Sequence, residues 1–151
     1  RQVVSFAPPQ SVAPILVAPY ESVNTSDARA VLPSEVPMAD AVANGGLAAM
    51  LAVGLATDDL DMISLGLRDH IHQERRSGLF PNSWALVQRA EELGALGATI
   101  SGAGAAVLVW ASADQADEVE GKLESEVTEW ANVIRTKFSS NGAKVNGEAV
   151  A

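Results

Sequence analysis

The residues Gly97-Ala98-Thr99-Ile100-Ser101-Gly102-Ala103-Gly104-Ala105-Ala106 gather small side chains in one stretch, and the apolar run Val107-Leu108-Val109-Trp110 follows. Glycines permit positive φ and let another group approach the backbone. Successive exposed N–H groups between two strands can form an anion nest that faces a phosphate. A tight hairpin turn accounts for the same residues. The stretch is not a dinucleotide fingerprint, because no third glycine follows Gly102 and Gly104 at the required spacing. It is not a nucleophile elbow, because Thr99 stands where the first glycine belongs. His70 and His72 are two residues apart, so on a helix they point in different directions, and no third metal ligand sits at suitable spacing. No metal site is read. Arginine is the side chain that grips a carboxylate with two parallel N–H bonds. Read from the residues alone, Arg29 is a solvated helix position, and Arg75 and Arg76 are surface neighbours of Glu74. The carboxylates at Asp58, Asp59 and Asp61 read as a charged first turn. Those from Asp117 to Glu126 read as a solvated face.

These residues sit in a chain of 151 with 19 Asp and Glu against 10 Lys and Arg, a net charge of −9. Such a surface repels nucleic-acid phosphates and anionic lipid, so no nucleic acid and no membrane are expected as partners. Cysteine is absent, which rules out disulfides and thiolate metal sites and fits a cytoplasmic protein. Arg1–Phe6 runs directly into Pro8-Pro9, so no signal peptide is read there. The most apolar stretch, Ala41 to Ala56, is 16 residues long and holds Asn44 and three glycines. It is short for a membrane span and reads as a buried core helix.

The order of elements predicts how the glycine stretch is held. Gln2–Phe6 reads as a short strand, Ala7–Pro14 as a loop, and Ile15–Ala18 as a strand stopped by Pro19. Thr25 reads as the N-cap of a short helix with Asp27 in its first turn. A long helix spans Pro37 to Ala56, with Leu47, Leu51 and Leu55 in one row. Another, Leu60 to Gln73, has Ile63, Leu67 and Ile71 as its buried stripe. Asn82-Ser83 caps a helix from Trp84 to Leu93, and Gly94 stands at its C-cap position. Two strands then flank Ser101–Gly104. Ser112–Gln115 forms a capping box for a helix reaching Trp130. A strand over Val133–Phe138, a turn at Asn141-Gly142 and a partner strand at Ala143–Asn146 close the chain. The pattern predicts an α+β fold with a mainly antiparallel sheet and helices packed on one face.

Four of these pieces carry a family resemblance. Val23-Asn24-Thr25-Ser26-Asp27-Ala28-Arg29 with Leu32-Pro33, the helix start Asp40–Asn44, the run Asp69-His70-Ile71-His72-Gln73-Glu74-Arg75-Arg76 with Leu79-Phe80-Pro81, and the Ser-Gly-x-Gly loop Ser101–Gly104 occur in order. Together they resemble the C-terminal half of the homoserine kinases, in the GHMP superfamily of small-molecule kinases. The resemblance implies a ferredoxin-like C-terminal domain over residues 15–146. It makes residues 1–14 a connector from an N-terminal ATP-binding domain and leaves 147–151 as a frayed tail. It departs from the family where Ala105 and Ala106 follow Gly104, in place of the usual proline and hydroxyl residue. The family's glycine- and serine-rich phosphate loop is not found in this sequence.

The resemblance further implies transfer of the γ-phosphoryl group of ATP, with Mg2+, to the side-chain hydroxyl of L-homoserine, a step of threonine biosynthesis. Arg29 and Arg76 map onto the arginines that hold the substrate carboxylate, Arg76 being preferred to Arg75 by its spacing to Pro81. Thr25 and His72 map to the substrate side. Ser101, Gly102, Ala103 and Gly104 map to a support for the phosphate loop and active-site wall. ATP and Mg2+ then belong mainly to the N-terminal kinase domain, the half is inactive alone, and a homodimer is possible. The competing expectation is a non-catalytic module for small-molecule binding or dimerisation, derived from such a kinase.

Overall fold

A computed structural model of the chain describes residues 6–139, 144–145 and 148–149. The core is a four-stranded antiparallel sheet of β1 (Val12–Pro19), β2 (Gly97–Ile100), β3 (Val107–Ser112) and β4 (Ala131–Arg135), in the order β2-β3-β1-β4. That order, with helices between β1 and β2 and between β3 and β4, is the ferredoxin-like arrangement that the family resemblance implies. Ile15 pairs with Val109 and Val17 with Val107, so the β-branched residues of the two central strands fall on one face. That face is covered by α4 (Pro81–Arg89) and α5 (Ala116–Val127). Leu86, Val119, Leu123 and Val127 bury there with Ile15, Val17, Val107 and Val109.

The opposite face is covered as well. Val12 and Trp110 point that way and bury with Ile63 and Leu67 of the next helical segment. Ile63 lies in α3 (Leu60–Gly66), and Leu67 is its C-cap. Leu51 and Leu55 of α2 (Met38–Thr57) pack behind them. The expected helical layer on one face is thus joined by a second one on the other.

Several local expectations are corrected. β1 begins at Val12, inside the stretch read as a loop. Pro14 fits because its nitrogen and carbonyl both face the β4 side, where β4 has already ended at Arg135; the carbonyl takes the Thr136 N–H at 3.0 Å. The N-cap of α1 (Thr25–Ala30) is Asn24, and Thr25 is its first helical residue. The helix expected to reach Gln73 stops at Gly66, since Asp69 captures the next free amides and turns the chain. Helix α2 is not a buried core helix: Gly54 is its one buried residue. Its length and composition suffice to cross a bilayer, yet its inner side rests on α3, and Asn44 accepts the His70 N–H at 2.8 Å. α4 starts at Pro81, and α5 stops at Val127 rather than Trp130. β5 (Lys144–Val145) pairs with β6 (Glu148–Ala149), inside the expected tail, rather than with β4. The strand expected at Gln2–Phe6 and the turn at Asn141-Gly142 lie outside the described residues, apart from Phe6, which is in no strand.

Candidate functional site

The β2–β3 connection is a closed turn. The Ser101 N–H reaches the Ala106 carbonyl at 2.8 Å, and the Gly104 N–H reaches the Ser101 carbonyl at 3.1 Å. Gly102 has φ +60 and Gly104 φ +97, values that favour glycine. Gly104 is also pressed on the buried Phe80 ring, and a Cβ there would overlap it. Behind the turn, the buried Ser83 hydroxyl donates to the Ala105 carbonyl at 2.7 Å, which ties the loop to the start of α4. Two of the loop amides are therefore spent inside the turn, and both the turn and the close backbone approach expected from sequence are present.

In front of the turn stands the segment Arg68–Arg76. Asp69 organises it. Its Oδ2 accepts the His72 and Gln73 N–H groups, each at 2.6 Å, and its Oδ1 lies 3.0 Å from His72 Nδ1. Burial would raise the Asp69 carboxyl. The Gln73 amide, the His72 ring and the His72 amide outweigh it and hold the carboxyl below its ordinary value. Gln73 then spans to the sheet: its Oε1 accepts the Ile100 N–H at 2.7 Å, at the last residue before the turn. A 3-10 segment, Glu74–Leu79, carries Arg76 onward. Arg76 Nε donates to the Ala28 carbonyl at 2.9 Å, and its Nη1 to the Gly102 carbonyl at 3.3 Å. One guanidinium thereby joins α1 to the glycine turn, while Arg75 stays exposed.

His72, Gln73, Arg76, Ile100 and Gly102 line a hollow of about 400 Å³, whose far wall is Asn44, Ala48 and Leu51 of α2. Of the residues singled out by sequence, the structure brings His72, Arg76 and Gly102 to this hollow. Ser101 and Ala103 flank Gly102 in the turn, and Gly104 faces Phe80. Thr25 and Arg29 do not line it; both are exposed on α1, which is attached through the Arg76–Ala28 bond. Sequence reasoning passed over Asp69 and Gln73 as site residues. The signal was present, since an aspartate three and four residues ahead of free amides is a turn-forming pattern, but the helix read over Leu60–Gln73 concealed it. On the other side of the turn a hollow of about 300 Å³ is lined by Tyr20, Phe80, Asn82, Ser83, Ala105 and Trp130, among others.

Comparison with known proteins identifies the family of this fold. The family model described as "GHMP kinases C terminal" matches residues 51–129, which include His72, Arg76 and the glycine turn. A homoserine kinase of Streptomyces coelicolor is 39% identical over 142 residues, covering 94% of this chain and 44% of that protein. A homoserine kinase of Gloeobacter violaceus is 38% identical over 140 residues, covering 91% and 46%. The crystal structure of homoserine kinase from Cytophaga hutchinsonii superposes with a TM-score of 0.83 at 27% identity, over 92% of this chain and 45% of that one. A mevalonate kinase of L. major, solved with R-mevalonate, shares the fold at a TM-score of 0.67 and 19% identity, over 86% and 43%. The chain spans less than half the length of these relatives. With its sheet order, its glycine turn and a family match over more than half its length, the chain belongs to the GHMP kinases, of which it carries the C-terminal domain.

Proposed function

We propose that this chain is the substrate-side half of a homoserine kinase. In that reaction the side-chain hydroxyl oxygen of L-homoserine attacks the γ-phosphorus of ATP, the bond to the β,γ-bridging oxygen breaks, and ADP leaves. Phosphoryl transfer asks a protein mainly to position and to stabilise charge. The observation that carries the reading is Arg76, braced between α1 and the glycine turn at the edge of a hollow it shares with His72. Two of its N–H groups are held by backbone carbonyls, so the guanidinium plane is fixed. The remaining edge is available to a carboxylate. Arg29, exposed one helical turn after Thr25 on the helix that Arg76 holds, supplies the second cation. Ser101–Gly104 forms the wall beneath the transferring phosphoryl group.

Among the described residues no three His, Asp or Glu side chains cluster as metal ligands. By the family resemblance the reading assigns Mg2+ and most of ATP to the N-terminal kinase domain, and expects this half to be inactive without it. ATP-dependent synthesis of a small amino-acid precursor suits the cytoplasm. The test is made in a complete enzyme, with this chain joined behind the N-terminal half of the Streptomyces relative. Arg29→Ala and Arg76→Ala should each raise KM for L-homoserine at least tenfold while KM for ATP stays within twofold. An unchanged KM for homoserine in both variants contradicts the assignment.

A second reading, a non-catalytic binding or dimerisation module, is favoured by Ala105-Ala106, which brings no hydroxyl to the turn. It predicts that the joined enzyme folds, binds L-homoserine and transfers nothing.

A further inference from the structure

Among the described residues, two hydrogen bonds tie the segment Arg68–Arg76 to β2 and its turn. One is the long contact from Arg76 Nη1 to the Gly102 carbonyl, at 3.3 Å. The other runs from the Ile100 N–H to Gln73 Oε1, at 2.7 Å. β2 is an edge strand. Backbone N–H groups alternate in direction along a strand. The Ser101 N–H turns inward to the Ala106 carbonyl, so the Ile100 N–H points off the open edge, where no neighbouring strand stands. Gln73 supplies the missing acceptor.

The rest of Gln73 is engaged as well. Its own N–H donates to Asp69 Oδ2 at 2.6 Å, and its carbonyl accepts the Arg76 N–H at 3.1 Å. Its Nε2 lies 3.5 Å from the Leu67 carbonyl. The main chain at Gln73 thus opens the 3-10 segment that carries Arg76, while its side chain grips the strand two residues ahead of Gly102. The frame is closed: from Gln73 to Ile100, along the turn to Gly102, across to Arg76, and back through the 3-10 backbone. With Leu67, Arg68 and Asp69, Gln73 also forms the wall between two hollows. One is the hollow of about 400 Å³ that His72 and Arg76 share, and the other, of about 250 Å³, runs beside Gly97 and Ala98. A frame held by Arg76 alone would ask one guanidinium to be both strut and ligand. Its 3.3 Å contact is the weaker of the two, since a hydrogen bond fades with length.

We propose that Gln73 is a positioning residue: its carboxamide holds the Arg76 segment in register with the glycine turn, so that the free edge of Arg76 faces the hollow. The proposal rests on the reading of Arg76 as a holder of the substrate carboxylate, and it assigns Gln73 no contact with the substrate itself.

The substitution to use is Gln73→Met, which keeps the length and volume of the side chain, and so the wall, and removes the acceptor. In the joined enzyme with the Streptomyces N-terminal half, Gln73→Met should raise KM for L-homoserine at least fivefold while KM for ATP stays within twofold. A loss of folding alone would lower the amount of active enzyme, and so kcat, and leave both KM values in place. Added to Arg76→Ala, the same substitution should change KM for L-homoserine less than twofold, because the group that Gln73 positions is gone. Effects that multiply in full in the double variant overturn the proposal, as does an unchanged KM in Gln73→Met. Should the joined enzyme not act on L-homoserine, or Arg76→Ala leave that KM unchanged, it is the reading of Arg76 that fails, and the strut is judged by nuclear magnetic resonance on the chain. There Gln73→Met should speed exchange of the Ile100 amide at least tenfold and shift the Arg76 Nε–H resonance. Gln73→Glu, which keeps an acceptor, should restore protection of the Ile100 amide. An Arg76 Nε–H resonance indifferent to Gln73→Met overturns the proposal whatever the substrate is.

Discussion

Gly102 and Gly104 stand two apart in one turn and answer to different forces. Gly102 has a positive φ with open space around it, so Gly102→Ala carries the left-handed penalty alone, about 1 kcal/mol. Gly104 adds the Phe80 ring, which is 4% exposed and has nowhere to go. Gly104→Ala should therefore cost about 2–4 kcal/mol in urea unfolding; equal losses for the two variants would remove the packing argument. Asp69 offers a second test. Burial is outweighed there by the Gln73 amide and the His72 ring and amide, which hold its carboxyl below the ordinary aspartate value in the folded chain. The stabilisation it gives is then fully present above that ordinary, unfolded value and is lost as pH falls through the lower folded one. Protection of the His72 and Gln73 amides from exchange, taken relative to the intrinsic rate at each pH, should hold down to about pH 4 and fall below it, and Asp69→Asn should remove it at neutral pH. Exchange indifferent to both changes would show that the turn is held by other groups. At this scale the sequence left Arg75 and Arg76 unresolved without the family pattern. What separates them is which guanidinium reaches the Ala28 and Gly102 carbonyls, contacts between residues 26 to 48 positions apart.

Two glycines set the element scale. Gly66 ends α3 against α2: a Cβ there would lie 2.5 Å from Leu51 N and 2.7 Å from Leu51 Cα. Backbone cannot yield as a side-chain tip can, so Gly66→Ala should pry the two helices apart and cost about 2–3 kcal/mol. Gly45, in the same α2, has nothing within 4 Å. Gly45→Ala should instead raise stability by up to about 1 kcal/mol, from helix propensity alone. Thermal unfolding of the two variants should move in opposite directions; a shared direction would contradict the α2–α3 contact. The periodic leucines made α2 legible, and the alternating valines did the same for β3. What the pattern hid was which side of α2 is covered. A helix apolar all round reads as core, whereas only the side with Leu51 and Leu55 packs inward. The end of α3 was hidden for a related reason: Ile71 continues the stripe of Ile63 and Leu67, while the Asp69 carboxylate that breaks the helix acts through side-chain geometry.

For the whole molecule, the strand and helix order was largely readable: Pro19 closes β1 and Gly97 opens β2, while β3 stood out by its apolar residues alone. The four motif pieces fell in family order along it. The second helical face and the start of β1 at Val12 depended on tertiary pairing and could not be read locally. On the proposed function, this domain completes a kinase acting on L-homoserine. The most direct measurement joins the chain behind the N-terminal half of the Streptomyces coelicolor homoserine kinase and follows ADP release with L-homoserine, mevalonate and no alcohol. With L-homoserine, ADP and O-phosphohomoserine should form together, at a rate at least a hundredfold above the other two. A folded chimera that releases ADP equally with all three, or prefers another alcohol, would contradict it.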